Sequence, residues 1–415
     1  MNSRINLVIR PLEFANQLFL ICYFALTIFT PLYSMQKMIL LLGFWGLWFL
    51  TAIQIDPSFI KRTSALLLLI VAMLFMAGIA SVMQGDSSVL NSVVNAMPNL
   101  AWAIVGIFYV YNTDILRNSK WILIVLIAVS SIYTLMGNLQ YPEASRLLAS
   151  TTEYYSTTRE LYRSINIGGY GFVYSLVFAV MPILLLIKNN SNHPILLLAC
   201  GILFIATIAV SAYMTAIIIC SLMLVFTLIK NKKVMRVLTA LGLVVIVVWL
   251  FKEQILSILI SLGEMTGADI LVTRAQQLLT GSYFLDAGAD QANRLTIFKN
   301  TILNWLDSPV VGNMFGADHL VYRRSGHSEM LGYLEKWGLF ASVYFGFFRN
   351  TYVRTRNSLE SENMRQNYRL YYLLLMLFIT IDRFDTFIEI GCIAFFLGPV
   401  LMKMADQCIY RRDEQ

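Results

Sequence analysis

Between Lys188 and Lys230 the chain carries no Asp, Glu, Lys or Arg. As one α-helix, residues 194–230 would extend about 55 Å at 1.5 Å per residue, against a hydrocarbon core of about 30 Å. The stretch therefore has to turn, and Ser211-Ala212-Tyr213 is the polar interruption where it would do so. The rest of the chain repeats the pattern. Its 415 residues are 58% hydrophobic and 13% charged, where soluble domains run near 45–50% and about 25%. That composition excludes a secreted enzyme, a disulfide scaffold, a disordered chain and a dedicated nucleic-acid binder. The net charge of +7 has a blander source than nucleic acid, because membrane proteins gather Lys and Arg on cytoplasmic loops.

Twelve apolar runs read as helices, at 15–34, 36–55, 64–83, 93–112, 119–138, 168–188, 194–210, 211–230, 234–251, 330–349, 368–384 and 387–404. A β-barrel would show short alternating strands instead. The expectation is an all-α, polytopic integral membrane protein. It has a single membrane domain over 1–415, about 12 transmembrane helices and a large periplasmic loop containing short amphipathic helices. With the N-terminus inside, most of the 31 Lys and Arg residues fall on the cytoplasmic side, so both termini are expected there. Arg4 and Arg10 precede a full-length apolar run with no small-residue cleavage site, which reads as a retained first helix. The five cysteines show no CxxC or Cys/His spacing, so neither a disulfide framework nor a zinc site is indicated.

Two outer segments are long enough to carry function. Residues 139–167 hold Arg146, Arg159 and Arg163; residues 252–329 hold Arg274, Arg294, Lys299, Arg323, Arg324 and His327. Within the second, Ile255, Ile258, Leu259 and Leu262, then Leu295, Phe298, Ile302 and Trp305, recur at helical spacing, as in helices lying along an interface. Long loops translocate whatever their charge, so some of these cations are simply solvated. The functional reading is an anionic ligand at the outer face, since Arg grips phosphate bidentately and stays charged.

His327 lies in Arg323-Arg324-Ser325-Gly326-His327-Ser328-Glu329, directly before the tenth run. It could be a satisfied polar residue, or a base that takes a proton from a hydroxyl near neutral pH. Glu335 and Lys336 sit inside the following helix, and Asp382, Arg383 and Asp385 form a charged knot near the end of the eleventh. Ionisable residues in a span are expensive and tend to face the bundle interior; an ion pair anchoring helix ends is the plainer account of both. The sequence contains no Walker A P-loop, HExxH or GxSxG motif, and no internal repeat of the kind transporters carry.

Four segments taken together resemble a known family: Asn293-Arg294-Leu295 heading an amphipathic helix, Asp307-Ser308-Pro309-Val310-Val311-Gly312, Gly326-His327-Ser328-Glu329-Met330-Leu331 and Lys336-Trp337-Gly338-Leu339. Over residues 290–346 the chain resembles the O-antigen polymerase/ligase superfamily, and most of all its Wzy-type polymerases. The resemblance implies a glycosyltransferase of the bacterial inner membrane, independent of metal and without a cofactor. It would act at the periplasmic face in lipopolysaccharide biosynthesis, on undecaprenyl-pyrophosphate-linked oligosaccharide in the lipid bilayer, with a chain-length regulator as a possible partner. By the motif, His327 corresponds to the family's loop histidine, Arg294 to its loop arginine, and Arg163 to the arginine of the first functional loop. Glu329 or Glu335 would orient His327. Many relatives carry Ser-Arg where this chain reads Ser211-Ala212-Tyr213, so Arg159, Arg163 or Arg274 would take over that contact. Arg323 and Arg324 would assist with the pyrophosphate, and Asp382 would help line the substrate site. The rivals are a ligase that moves finished polymer to lipid A core, and a flippase or secondary transporter.

Overall fold

The computed structural model describes residues 11–29, 35–85, 87–142, 144–148, 156–189, 193–228, 294–314, 328–382, 384 and 387–413, with short pieces at 257, 260–265, 272–273 and 276. Every regular element among them is helical. In order these are α1 (Pro11–Ile28), α2 (Met35–Ile55), α3 (Ser58–Gln84), α4 (Ser88–Tyr111), the single turn α5 (Thr113–Leu116) and α6 (Lys120–Gln140). The short helices α7 (Ala144–Leu147) and α8 (Ser156–Ser164) lead into α9 (Tyr170–Lys188), α10 (Pro194–Val210) and α11 (Met214–Leu228). Beyond the second long loop come α12 (Arg294–Asp307), α13 (Glu329–Trp337), a 3₁₀ turn (Gly338–Ala341), α14 (Ser342–Ser358) and α15 (Glu362–Ile381). The helix α16 begins as Ile388–Gly391, passes through a π-helical stretch at Cys392–Leu397 and continues as Gly398–Asp413.

Six helical stretches are long and apolar enough to cross a membrane: Pro11–Ile28, Ser58–Gln84, Leu90–Tyr111, Lys120–Gln140, Tyr170–Lys188 and Ile388–Cys408. Three shorter apolar helices, Ile39–Ile55, Pro194–Val210 and Met214–Thr227, accompany them. Their outer faces are as apolar as their inner ones: Leu68 is 70% exposed, Phe75 68% and Ile195 82%. Water would not tolerate so many large exposed side chains, whereas lipid matches them.

Nine of the twelve predicted runs fall on these nine helices, 330–349 and 368–384 fall on the helices α13 to α15, and residues 234–251 lie outside the described residues. The uncharged stretch turns where its length demands, with α10 ending at Val210, Ala212 at φ +55° and α11 starting at Met214. The tenth run differs from expectation. Residues 330–349 do not form one helix, because Gly338 adopts φ +54° and ψ −130°, a conformation closed to side-chain-bearing residues in a helix. The chain breaks there and resumes as α14.

Two polar clusters tie the bundle together. Inside it, Tyr109 donates from its hydroxyl to Asn16 Oδ1 (2.6 Å) and accepts from Trp48 Nε1 (3.2 Å). Asn16 Nδ2 in turn donates to Thr51 Oγ1 (2.8 Å), linking α1, α2 and α4. At one end, Asp56 caps α3 through the Ser58 amide (3.1 Å), accepts from Asn112 Nδ2 (3.1 Å) and pairs with Arg62. The Arg62 guanidinium lies 4.5 Å over the Tyr111 ring, which closes the α2–α3 turn onto the end of α4.

The core centres on α4, α9 and α16. Trp102 stacks on Tyr23 (4.2 Å) and on Phe396 (5.3 Å). The α4 backbone meets α16 at Gly106, where a Cβ would fall 2.0 Å from the Phe395 carbonyl oxygen. The π-helical stretch displaces carbonyls from the regular ladder, and the Tyr371 hydroxyl donates to that of Ala394 at 3.1 Å.

Candidate functional site

Two of the motif segments, 307–312 and 336–339, form one backbone clasp. The Ser308 hydroxyl donates to the Gly312 carbonyl (2.9 Å) and the Gly312 amide to the Ser308 carbonyl (2.9 Å), which folds 308–312 into a closed turn. Pro309, with its fixed φ, suits the first corner of such a turn. The turn lies against the end of α13: Asn313 N donates to the carbonyls of Glu335 (3.0 Å) and Lys336 (3.1 Å), and Leu339 N to that of Val310 (3.0 Å). Gly312 (φ +58°) and Gly338 (φ +54°) face each other across it. A Cβ on Gly312 would sit 2.6 Å from the Glu335 carbonyl, and one on Gly338 2.6 Å from that of Pro309. Two glycines 26 positions apart are thus demanded by one contact.

The clasp brings α12 onto α13. Asn304 Nδ2 donates to Glu335 Oε1 at 2.8 Å, with both residues buried. Glu335 turns inward while its neighbour Lys336 is exposed. The other end of α13 is capped by Ser328, whose hydroxyl accepts from Leu331 N (3.2 Å), so the predicted base His327 immediately precedes the cap. Glu329, the first residue of α13, is buried, and its amide donates to the Asp382 carbonyl at 3.4 Å.

From Asp382 the site runs into aromatic side chains. Tyr174 donates from its hydroxyl to Asp382 Oδ2 at 3.4 Å. Its ring lies 4.3 Å from Tyr170 and 5.6 Å from Tyr213, and Tyr170 lies 4.6 Å from Phe387. Glu389, buried at the start of α16, rests against Gly171, where a Cβ would come within 2.7 Å of its Oε2. Tyr213 continues the chain of contacts to the first loop by donating to the Ser145 carbonyl at 2.7 Å.

That first loop is pinned by side chains of α6. Asn138 Nδ2 donates to Ser145 Oγ (2.8 Å) and Ser211 Oγ (3.0 Å), while Asn138 Oδ1 accepts from Ser145 N (3.1 Å). Gly168 N donates to Thr134 Oγ1 (2.8 Å), and Asn166, at φ +60°, donates from Nδ2 to Ser130 Oγ (3.0 Å). The loop therefore enters α9 at a fixed angle. Asn138→Ala should leave the Ser145 amide without its acceptor, a loss of roughly 1–3 kcal/mol. Limited proteolysis of the protein in micelles should then cut 141–169 faster, and unchanged cleavage would contradict the pinning.

Of the residues singled out in the sequence, the structure brings Glu329 and Asp382 together and sets Glu335 in the adjoining clasp. Arg159 and Arg163 both lie, half-buried, on α8, whose last turn Arg163 occupies. Arg294 is the first residue of α12, and its side chain is outside the described set. His327, Arg323, Arg324 and Arg274 also lie outside the described residues, as do Arg383 and Asp385.

No family model and no curated protein matches this sequence.

Sequence reasoning missed Tyr170, Tyr174, Tyr213, Glu389 and Asn304. The i, i+4 spacing of Tyr170 and Tyr174 was a usable signal, since it puts both rings on one face of α9. Tyr213 stands in the turn between α10 and α11 and reaches across to the Ser145 carbonyl. No local pattern marks Asn304, whose role depends on the clasp.

The arrangement offers an end of the bundle with four buried carboxylates, Glu329, Glu335, Asp382 and Glu389. Asp382 meets the buried Tyr174, beside which lie the half-buried rings of Tyr170 and Tyr213, and Arg159 and Arg163 lie on α8, which leads into α9. Carboxylates accept hydrogen bonds from hydroxyl groups and aromatic rings lie against apolar ring faces, which suits a polyhydroxylated ligand.

Proposed function

We propose that this chain is a surface-polysaccharide polymerase of the O-antigen type, with about a dozen membrane spans and both termini cytoplasmic. Its working site would lie at the periplasmic face of a bacterial inner membrane. The observation that supports the reading is the clasp: two of the four segments that resemble the family, 307–312 and 336–339, fold onto one another, and Glu329 of a third meets the Asp382 carbonyl. Its reaction is block transfer of a growing chain. Arg294 and Arg163, aided by Arg323 or Arg324, offset the charge on the leaving pyrophosphate. His327 takes the proton from the non-reducing-end hydroxyl of an incoming lipid-linked repeat unit. That oxygen bonds to the anomeric carbon, the bond from that carbon to pyrophosphate breaks, and undecaprenyl pyrophosphate leaves with its electron pair. The anomeric centre inverts.

The test is complementation of a strain lacking the gene, with its surface polysaccharide run on a gel. Wild type should restore a ladder, whereas His327→Ala and Arg294→Ala should leave a single repeat unit on the core at normal protein abundance. Wild-type chain lengths from the Arg294→Ala strain would overturn the assignment. Bare core with polymer still on undecaprenyl pyrophosphate would make the protein a ligase. The helix break at Gly338 favours a third reading, since secondary transporters use interrupted helices. An unchanged ladder in the deletion strain would bring that reading forward.

A further inference from the structure

At the opposite end of α6 from the loop 141–169, the ends of α5, α6, α9, α10 and α16 enclose a cavity of about 300 Å³. Its floor is apolar, formed by the buried side chains of Leu186 and Met404. Its rim carries Arg117, Lys120 and His193, with Asp114 as the single carboxylate and Gln407, Thr113 and Asn118 as uncharged polar groups. Trp121 forms part of the wall. The Lys120 ammonium lies 5.3 Å from the Trp121 ring, and the His193 ring meets the same indole edge-on at 5.2 Å. Arg117 and Lys120 enter no ion pair among the described residues, although Arg62, Arg365 and Lys403 each find a carboxylate.

We propose that this cavity binds a phosphate group, and that its source is the headgroup of an anionic phospholipid. Two cations against one carboxylate give the rim its preference for an anion. The lipid source is argued from what flanks the cavity. On α6, Ile122 (47% exposed) and Val125 (50%), and on α10, Ile195 (82%) and Leu198 (48%), present apolar side chains outward. These two helices pack on each other beside the cavity, so their outward apolar side chains offer a surface for acyl chains next to the cationic rim. Basic pockets between membrane helices hold lipid phosphates in this way, each nearby cation contributing about 1 kcal/mol. The Trp121 indole, amphipathic by nature, belongs at such a headgroup boundary. The site is independent of the reaction proposed above, lying at the other end of the bundle.

Cys408, exposed on the cavity wall, reports occupancy through its rate of alkylation by an uncharged maleimide. The full-length protein, with Cys22→Ser to remove the other partly accessible thiol, would be placed in nanodiscs of phosphatidylcholine with or without phosphatidylglycerol. Phosphatidylglycerol should slow alkylation of Cys408. Arg117→Gln should raise the phosphatidylglycerol needed for that slowing about fivefold, and Arg117→Gln with Lys120→Gln about thirtyfold. A second arm adds inorganic phosphate to phosphatidylcholine discs. Slowing with the lipid but not with phosphate assigns the headgroup, and equal slowing with phosphate assigns a soluble phosphate compound to the same cavity. No slowing in either arm with the otherwise native protein would overturn the proposal, as would equal protection in the double variant. Both substituted side chains are at least partly exposed, and the arms run without those substitutions decide the matter even if the variants express poorly.

Discussion

Gly106→Ala is expected to remove most of the folded protein from the membrane. The added methyl would lie 2.0 Å from the Phe395 carbonyl oxygen, 3.0 Å from its carbon and 3.2 Å from Phe396 Cα. These are backbone atoms, so no side chain can swing aside to make room. The helices would have to separate by more than an ångström, and Phe396 is held between Trp102 (5.3 Å) and Tyr109 (5.6 Å). Moving it opens the aromatic core and strips the hydrogen bond that Tyr371 gives to Ala394. Overpacking of a dense core costs about 1–3 kcal/mol with side chains alone in the way. With backbone opposed, a cost of 3 kcal/mol or more is expected, on the order of the total margin of many domains. Membrane abundance by immunoblot and thermal unfolding in micelles measure it. A melting midpoint equal to wild type would show that α4 and α16 do not meet at Gly106.

Gly338→Ala should act differently, abolishing function while the bundle survives. The residue's φ of +54° with ψ of −130° costs an alanine about 1–3 kcal/mol, and its methyl would strike the Pro309 and Val310 carbonyls. The clasp would open, and with it the seating of α12 on α13 through Asn304 and Glu335. None of the contacts of α1 with α2, or of α9 with α10, runs through this point, so abundance should fall little. Misplacing a reacting group by about 1 Å lowers rates about a hundredfold, so under the polymerase function proposed above polymer should become undetectable on a gel. Gly332→Ala is the control, since a Cβ there meets nothing within 4 Å and the residue lies in the adjoining helix α13. A full ladder from Gly338→Ala would dissociate the clasp from activity.

The helical elements were legible because lipid imposes a simple code. The turn at Ser211–Tyr213 followed from length alone, and α12 followed from the spacing of Leu295, Phe298, Ile302 and Trp305. The break at Gly338 was not legible. Residues 330–349 have helical periodicity and a glycine that helices tolerate at modest cost; what excludes helix there is a contact with Pro309 and Val310, remote in the chain. The site was legible in part for the same reason. Glu335 and Asp382 stand out as ionisable residues within or at the end of apolar runs, which are rare enough to flag, and Glu329 as the carboxylate two residues after His327. Tyr170, Tyr174 and Tyr213 did not, because tyrosines are common near membrane boundaries and their grouping arises only when the start of α9 meets the α10–α11 turn. The α13–α15 link through Asp382 uses backbone groups, which no sequence pattern encodes.

The position of α16 bears on how the chain is made. Its stretch Ile388–Cys408 is 94% buried, the most enclosed of the six long apolar stretches, yet it is synthesised after α4, α9 and α15, the helices that surround it. Those helices cannot close on one another during synthesis, because their shared slot must stay open until α16 leaves the ribosome. Until then the face of α4 at Gly106, which later meets Phe395, faces lipid or insertion machinery. A ribosome stalled before residue 388 would hold an inserted but unlocked bundle, and the rate at which α16 docks sets the window in which quality-control proteases can recognise it.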